Sequence, residues 1–411
     1  MTKLGVLFSV LGVGAGCIPA FAQKQLPNII VMLSDDQGWG DLGFTGNTFV
    51  QTPNIDRIAH EGTILENFYV CPVSSPTRAE FLTGRYHVRS GVNSTTGGGE
   101  RFNLGEKTIA EYFREAGYAT SLFGKWHSGT QYPYHPNARG FEEFYGFCSG
   151  HWGNYWNPVL EHNGEIISGE GFIIDDLTDK ALDYIRDHKE HPFFMFLSYN
   201  TPHSPMQVPD SWWNRVKDRT LSQRATFPEQ EDTTFTKAAL ALAENLDWNI
   251  GRVLSLLHSL DLEQETIVIY FSDNGPNSFR WNGGMKGRKG STDEGGVRSP
   301  FCIRWPGHIR KGAVETQLSG AIDLIPTLLG LAGIEYTPLR KLDGIDWGQR
   351  LLDEKAPAMD RVLYSYWGGK TSVRISYYLL DAEDHLYKTD IDRAQRKDVS
   401  DKEPEDRKSV V

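Results

Sequence analysis

The sequence predicts an α/β fold: a large, mostly parallel sheet sandwiched by helices, followed by a smaller C-terminal part. Four short apolar runs, at 28–33, 119–123, 193–199 and 266–271, do not alternate with polar residues. Such runs suit strands covered on both faces. Helical patterns lie between them, at 55–61 after Thr52-Pro53, 109–116, 174–188 and 235–260. Strand and helix in alternation imply parallel strands joined by crossovers. At 411 residues the chain exceeds the usual single-domain size, so one large α/β unit with a smaller one appended is the expected organisation.

Each apolar run leads into polar residues able to do chemistry. The first leads to Ser34, Asp35 and Asp36, and the second to Gly124, Lys125, Trp126 and His127. The third leads to Asn200, Thr201, Pro202 and His203, and the fourth to Ser272, Asp273, Asn274 and Gly275. Parallel sheets collect ligands beyond their C-terminal strand ends, so these clusters are expected on one rim. Adjacent carboxylates repel unless a cation sits between them. The oxygen-rich set Asp35, Asp36, Asp273 and Asn274 suits Ca²⁺ or Mg²⁺ better than Zn²⁺. The competing account makes Asp35-Asp36 a cap and Asp273-Asn274-Gly275 a turn.

The segment 74–85, SSPTRAEFLTGR, resembles the sulfatase signature in which a Cys or Ser is oxidised to formylglycine. That pattern has Pro two positions after the modified residue, Arg four positions after it and a closing Leu-Thr-Gly; Ser74, Pro76, Arg78, Leu82, Thr83 and Gly84 satisfy it. Cys71 would put Val73 in place of the Pro and Ser75 in place of the Arg, and Ser75 would misplace both by one. Thr77 stands where the family usually has Ser. GKWH at 124–127, Pro202-His203, DNG at 273–275 and GRKGSTDEGGVRSP at 287–300 follow in order. Together these segments resemble the sulfatase family from residue 27 to about residue 310.

The resemblance implies a divalent metal, Ca²⁺ with Mg²⁺ as the alternative, held by Asp35, Asp36, Asp273 and Asn274 and completed by the modified Ser74. It implies sulfate contacts from Lys125, His127, His203 and Lys289, with Arg78 supporting residue 74. Lys289 precedes Gly-x-Thr and Glu-Gly-Gly as the family's lysine does, and Lys286 is the runner-up. Oxidised Ser74 would be hydrated to a geminal diol. One hydroxyl would attack sulfur and expel the alcohol; the second would then lose its proton and expel sulfate. His127 is the better candidate for base and His203 for acid. The partners implied are a sulfated saccharide and a Ser-type sulfatase-maturing enzyme acting on Ser74. A phosphate-ester hydrolase of the same superfamily is the rival enzyme, although it would need a second, His-rich metal cluster. A non-catalytic sulfated-glycan binder is the rival if Ser74 stays unmodified.

The first 22 residues read as a cleavable signal peptide, with Lys3, an apolar or small run at 4–18 and Ala20-Phe21-Ala22 as the cleavage pattern. A lipid-attached Cys17 fits less well, because Gly14 stands where Leu or Val is usual. A periplasmic or secreted protein is expected. Removing that segment leaves Cys71, Cys148 and Cys302, an odd and widely spaced set, so neither a disulfide framework nor a Cys-based metal site is expected. No later stretch reaches the roughly 18 apolar residues of a membrane span. The net charge of -11 argues against nucleic acid as a partner, while clustered cations and a metal can reverse the field inside one pocket.

The segment 151–158, HWGNYWNP, and the trio Arg280-Trp281-Asn282 interleave aromatic and polar groups in a way that suits a sugar ring. Aromatic residues at this density more often serve packing. Export together with the Ser-type signature implies, by analogy, removal of sulfate from polysaccharides, so a sulfated carbohydrate is preferred over a small aryl sulfate. The expected division is a signal peptide at 1–22, a catalytic α/β domain at 23–335 and a C-terminal subdomain at 336–411. In the last part, a helix with its cap at 326–333 precedes short strands at 362–367, 372–375 and 377–380, and a charged, solvated tail or helix begins near Asp392. The resemblance implies that these strands form a small antiparallel sheet. Family members commonly continue further, so truncation of this subdomain stays open.

Overall fold

The computed structural model describes Met1 and residues 26–401, so the expected signal peptide, with Cys17, lies outside the described residues apart from its first Met. The four apolar runs form strands β1 (Asn28–Ser34), β2 (Ala119–Lys125), β3 (Phe193–Ser198) and β4 (Thr266–Ser272). They sit at the middle of a ten-stranded sheet. Its order is Ala313–Glu315, Thr63–Leu65, Phe301–Arg304, β4, β1, β3, β2, Glu143–Phe147, Val159–His162, Glu165–Ser168. The strands from β4 to Glu143–Phe147 are mutually parallel. Phe301–Arg304 and the two strands after Glu143–Phe147 run antiparallel to their neighbours, so the sheet is mixed at its margins.

Side-chain alternation along each central strand builds two cores at once. Ile29, Val31 and Leu33 of β1 join one core with Phe194, Phe196, Ile267 and Ile269. Ile30 and Met32 join the other with Met195, Leu197, Val268 and Tyr270. Helices cover both faces. α1 (Pro53–Glu61), α4 (Ile173–Asp187) and α5 (Thr233–Ser259) pack into the second core. α2 (Ser74–Thr83), α3 (Ile109–Glu115) and α6 (Leu324–Ala332) pack into the first. Thr108 caps α3 through a reciprocal capping box with Glu111. Among the described residues, no helix is long and apolar enough to cross a membrane, and Cys71, Cys148 and Cys302 are free and buried.

The C-terminal part forms a separate four-stranded antiparallel sheet of β5 (Val362–Trp367), β6 (Lys370–Ile375), β7 (Tyr378–Leu380) and β8 (Leu386–Lys388). The last strand and a short helix at Gly348–Leu352 were not anticipated. The expectation of a solvated tail or helix from Asp392 holds for the exposed Arg396, Lys397, Asp398 and Asp401 and is corrected at the turn before them, which docks on the main domain. The Arg393 carbonyl accepts from the Lys286 N–H at 3.1 Å. Gln395 is buried, accepting from the Glu294 N–H at 3.0 Å and donating to Asp293 at 2.8 Å. Buried loop amides require partners, and this segment supplies them.

The antiparallel sheet is fastened to the main one by a buried ion pair. Arg374 of β6 donates to Glu294 Oε1 at 3.0 Å and to the Thr292 carbonyl at 2.9 Å. Glu294 also faces Arg298 at 3.4 Å and accepts from the Tyr69 hydroxyl at 3.2 Å. Removing one partner of such a pair leaves a charge buried beside an empty site. Arg374→Met is therefore expected to lower stability by about 3 kcal/mol, read as a drop in the denaturant midpoint; an unchanged midpoint would show that the pair contributes nothing net.

Candidate functional site

The polar ends of β1 to β4 do converge on one rim, and α2 enters it from the side. Ser74 is the first helical residue, after an extended Val73 and with no side-chain cap, so its hydroxyl lies at the electropositive end of the helix. Every residue of α2 is buried although most are polar. Each polar group finds a partner across the rim or along the chain. Thr77 Oγ1 donates to the Asp273 carbonyl at 2.6 Å and accepts from the Cys71 N–H at 2.8 Å. Arg78 donates to Ser198 Oγ at 2.6 Å, the Lys125 carbonyl at 2.9 Å and Asp273 Oδ2 at 3.0 Å. One arginine thus ties α2 to β2, β3 and β4. Gly84, with φ 66°, closes the helix in the left-handed region.

Ser74 Oγ lies 3.0 Å from Asp35 Oδ1, 2.5 Å from Asp273 Oδ2 and 3.2 Å from Lys125 Nζ. Lys125 pairs with Asp35 at 2.5 Å, and Lys289 with Asp36 Oδ1 at 2.5 Å. Lys286, the runner-up, pairs instead with Asp293 at 3.3 Å. Burial alone would raise Asp35, but Lys125, then His203, Arg78 and Lys289, hold its carboxyl well below the usual range. Asp273 is pushed up, by burial first and by the charge of Asp35 second. Burial depresses the Lys125 ammonium, whereas Asp36 and Asp35 outweigh burial at Lys289 and raise it.

The residues present fit a hard cation. Asp35 and Asp36 oxygens and a His203 ring nitrogen lie within 4.8 Å of one another. Asn274 donates its amide N–H to Asp36 at 2.8 Å, and its buried Oδ1 has no hydrogen-bond partner. A buried acceptor without a hydrogen-bond partner, beside carboxylates, has the chemistry of a hard-cation ligand. Asp36 and His127 both carry positive φ, 64° and 61°, strain that a surrounding structure must sustain.

The two histidines are fixed differently. His127 Nε2 donates to the Thr95 carbonyl at 2.8 Å, which leaves Nδ1 as a buried atom without a partner. Burial, with Lys125 second, pushes its ring well below the usual imidazole range. His203 Nδ1 donates to the Ser204 carbonyl at 2.7 Å, so Nε2 is the end that faces Asp36 Oδ2, at 3.5 Å. Ser74, Lys125, His127, His203 and Lys289 all line a cleft of about 580 Å³.

Of the two segments expected to contact a sugar, the trio 280–282 is corrected at Arg280 and Asn282, and 151–158 reaches the cleft only in part. Arg280 is buried against Asp41 at 2.7 Å and the Asp36 carbonyl at 2.9 Å, and Asn282 bonds the Gly40 N–H at 2.9 Å, so both brace the β1 loop. Within 151–158 the residues divide. His151 lines the cleft, Tyr155 supports the His203 carbonyl at 2.8 Å, and Trp152 stacks on Phe147. Thr95, Gly150 and Trp367 also line the cleft and carried no signal in the sequence.

A helix end ringed by cations, at the strand ends of a parallel sheet, suits esters of strong oxyacids, which defines the class as hydrolases of anionic esters. The comparisons narrow it. The Sulfatase family model matches residues 27–334, and the model described as N-sulphoglucosamine sulphohydrolase, C-terminal, matches residues 289–409. The chain belongs to the sulfatase family and is a sulfuric ester hydrolase. It is 32% identical to mouse N-acetylgalactosamine-6-sulfatase over 402 residues, covering 89% of this chain and 72% of that one. It is 30% identical to the Escherichia coli protein described as uncharacterized sulfatase YdeN, covering 84% and 70%. Among solved structures, Ps i-CgsB in complex with k-i-k-neocarrahexaose superposes with TM-score 0.82 at 28% identity, covering 94% of this chain and 91% of that one.

Gly150 bears directly on His127. A Cβ there would stand 2.1 Å from His127 Nε2, the nitrogen held by Thr95. Gly150→Ala is expected to displace the ring and lower kcat by about 100-fold, the scale of a misplacement near 1 Å, in a protein that melts normally. Unchanged turnover would remove any positional role for this contact.

Proposed function

We propose that the chain is an exported sulfatase that removes sulfate esters from carbohydrates, using a formylglycine made from Ser74 and a divalent cation. The observation that carries the reading is the setting of Ser74 Oγ, between Asp35 and Asp273 and 3.2 Å from Lys125. That oxygen marks the position one hydroxyl of the hydrated aldehyde would take. In the oxidised form, residue 74 supplies one hydroxyl for attack on sulfur and a second whose deprotonation releases sulfate. Asp35, Asp36, Asp273 and the orphaned Asn274 Oδ1 would hold the cation. Their all-oxygen chemistry favours Ca²⁺, with Mg²⁺ as the alternative, and when bound it lowers the proton affinity of an oxygen on residue 74.

The chain's own groups do the rest. Lys125 and Lys289 hold the sulfate oxygens, and Arg78 keeps Asp273 in place beneath residue 74. His127 is neutral with Nδ1 free, so it takes the proton of the second hydroxyl; His203 Nε2 gives a proton to the departing alcohol. The names of the relatives support a sulfated saccharide as substrate, one being a sulfatase of N-acetylgalactosamine 6-sulfate and another a structure holding a neocarrahexaose. A Ser-type maturing enzyme is the required partner, and the Ala20-Phe21-Ala22 pattern is the ground for periplasmic or secreted placement.

Protein made beside a Ser-type maturase is expected to yield a Ser74 peptide lighter by two hydrogens on mass spectrometry. Sulfate release by protein whose peptide is wholly unmodified would defeat the formylglycine reading. A base must be deprotonated to act, and the depressed value of His127 moves its protonation to lower pH. The acid limb of kcat/KM is thus expected below the ordinary imidazole value of about 6.5; a limb centred at or above that value would reject His127 as the base.

A further inference from the structure

The C-terminal sheet touches the reaction cleft through the end of its first strand. Trp367 closes β5 and lines the same cavity as Ser74, Lys125, His203 and Lys289. It pairs with Lys370 across Gly368 and Gly369, whose φ values are 58° and 81°. Positive φ at both central residues is the two-residue hairpin geometry that glycine permits. A Cβ added to either glycine would meet nothing within 4 Å. The glycines therefore serve the turn and not packing, and the tip stands clear.

The base of the hairpin is fixed where its tip is free. The Tyr366 carbonyl accepts from His87 Nε2 at 3.1 Å, and the His87 ring stacks on Tyr366. His87 in turn follows α2, the helix that begins at Ser74. On β6, Ser372 Oγ and Arg374 both donate to the Thr292 carbonyl, at 2.9 Å each, in the segment that carries Lys289. Trp367 is thus registered against both Ser74 and Lys289. Among the described residues, its half-buried indole has neither a ring partner nor a hydrogen-bond partner. A partly exposed indole on the wall of a polar cleft, with no ring or hydrogen-bond partner, offers an aromatic face to a ligand.

We propose that Trp367 is the platform on which the pyranose ring of a sulfated saccharide stacks while its sulfate reaches Lys125 and Lys289. This rests on the reading of the cleft as a sulfate-ester site. The ring's C–H face is apolar and slightly positive, matching the negative face of an indole. The anion is bound by the cations at the cleft floor. Ring and sulfate are therefore recognised by different groups and can be separated by mutation.

The test uses the full chain carrying Ser74→Ala, which cannot turn over, and calorimetric titration with sulfated hexoses, sulfated N-acetylhexosamines and inorganic sulfate. Adding Trp367→Ala is expected to weaken the sulfated sugars about 10-fold or more, the scale of a buried aromatic contact, with inorganic sulfate affected less than 2-fold. Trp367→Phe is expected to restore part of the loss. Equal losses for sugar and inorganic sulfate would mean that Trp367 acts through the fold, and unchanged sugar affinity would mean that it does not touch the ring; either overturns the proposal, as does a parent that binds no sugar better than inorganic sulfate. A parent that binds sugars through Trp367 while its Ser74 form releases no sulfate would leave this inference standing and remove the catalytic reading.

Discussion

Three buried carboxylates, Asp35, Asp36 and Asp273, are the constraint from which the rest of this site follows. Each buried ion costs several kcal/mol unless charge and hydrogen bonds compensate it. Here Lys125, Lys289 and Arg78 each pair with one of them. That pairing explains why the polar helix α2 can be wholly buried: Arg78 is the counter-ion of Asp273, and its other donors satisfy β2 and β3. It also explains why the carboxylates separate in proton affinity. Asp35 collects most of the cationic field and is held down, while Asp273, which feels Asp35 as well as burial, is pushed up.

The same constraint reaches the C-terminal sheet. Lys289 belongs to a glycine-rich segment that has little regular structure of its own, yet it must hold a charge against Asp36. The segment is pinned from outside, by Arg374 on Glu294 and Thr292, by Gln395 on Asp293 and the Glu294 N–H, and by the Arg393 carbonyl on the Lys286 N–H. The small sheet is therefore a clamp on one of the three compensating cations as well as a wall of the cleft. Loss of Arg374 would loosen Lys289 together with the sheet.

What could be read in the sequence was what local chemistry encodes. Non-alternating apolar runs disclosed β1, β3 and β4 because both faces of each are buried, and the polar residues ending them disclosed the rim. Long-range partners left no local mark. Arg280 beside Trp281 looks the same whether it binds a sugar or, as here, an aspartate 239 positions away. The place of Gly150 is set by His127 lying against it, and that of Trp367 by a hairpin whose end reaches the cleft that Ser74 also lines. The charged run after Asp392 read as solvated because composition does not reveal that unfilled loop amides elsewhere need its carbonyls and side chains. Asp36 and His127 carry positive φ, and although Asp and His are among the non-glycine residues that reach it most readily, neither is common enough there for the sequence to announce it.

The choice of Ser74 over Cys71 rested on register alone, and the two positions differ in their surroundings. A thiol is the stronger nucleophile only as thiolate. Cys71 is buried, and burial together with the neighbouring Glu80 pushes its thiol well above its ordinary value. The Thr77 hydroxyl ties the Cys71 backbone N–H and the Asp273 carbonyl together, so this turn serves to set the helix end in position. Ser74 has the opposite surroundings: a helix N-terminus, an ammonium at 3.2 Å and two carboxylate oxygens within 3.0 Å. A hydroxyl so placed sits where a cation between those carboxylates would also reach it. The opposite surroundings of residues 74 and 71 are thus set within one turn, and Thr77, a hydroxyl where the family usually has another, ties that turn to the end of β4.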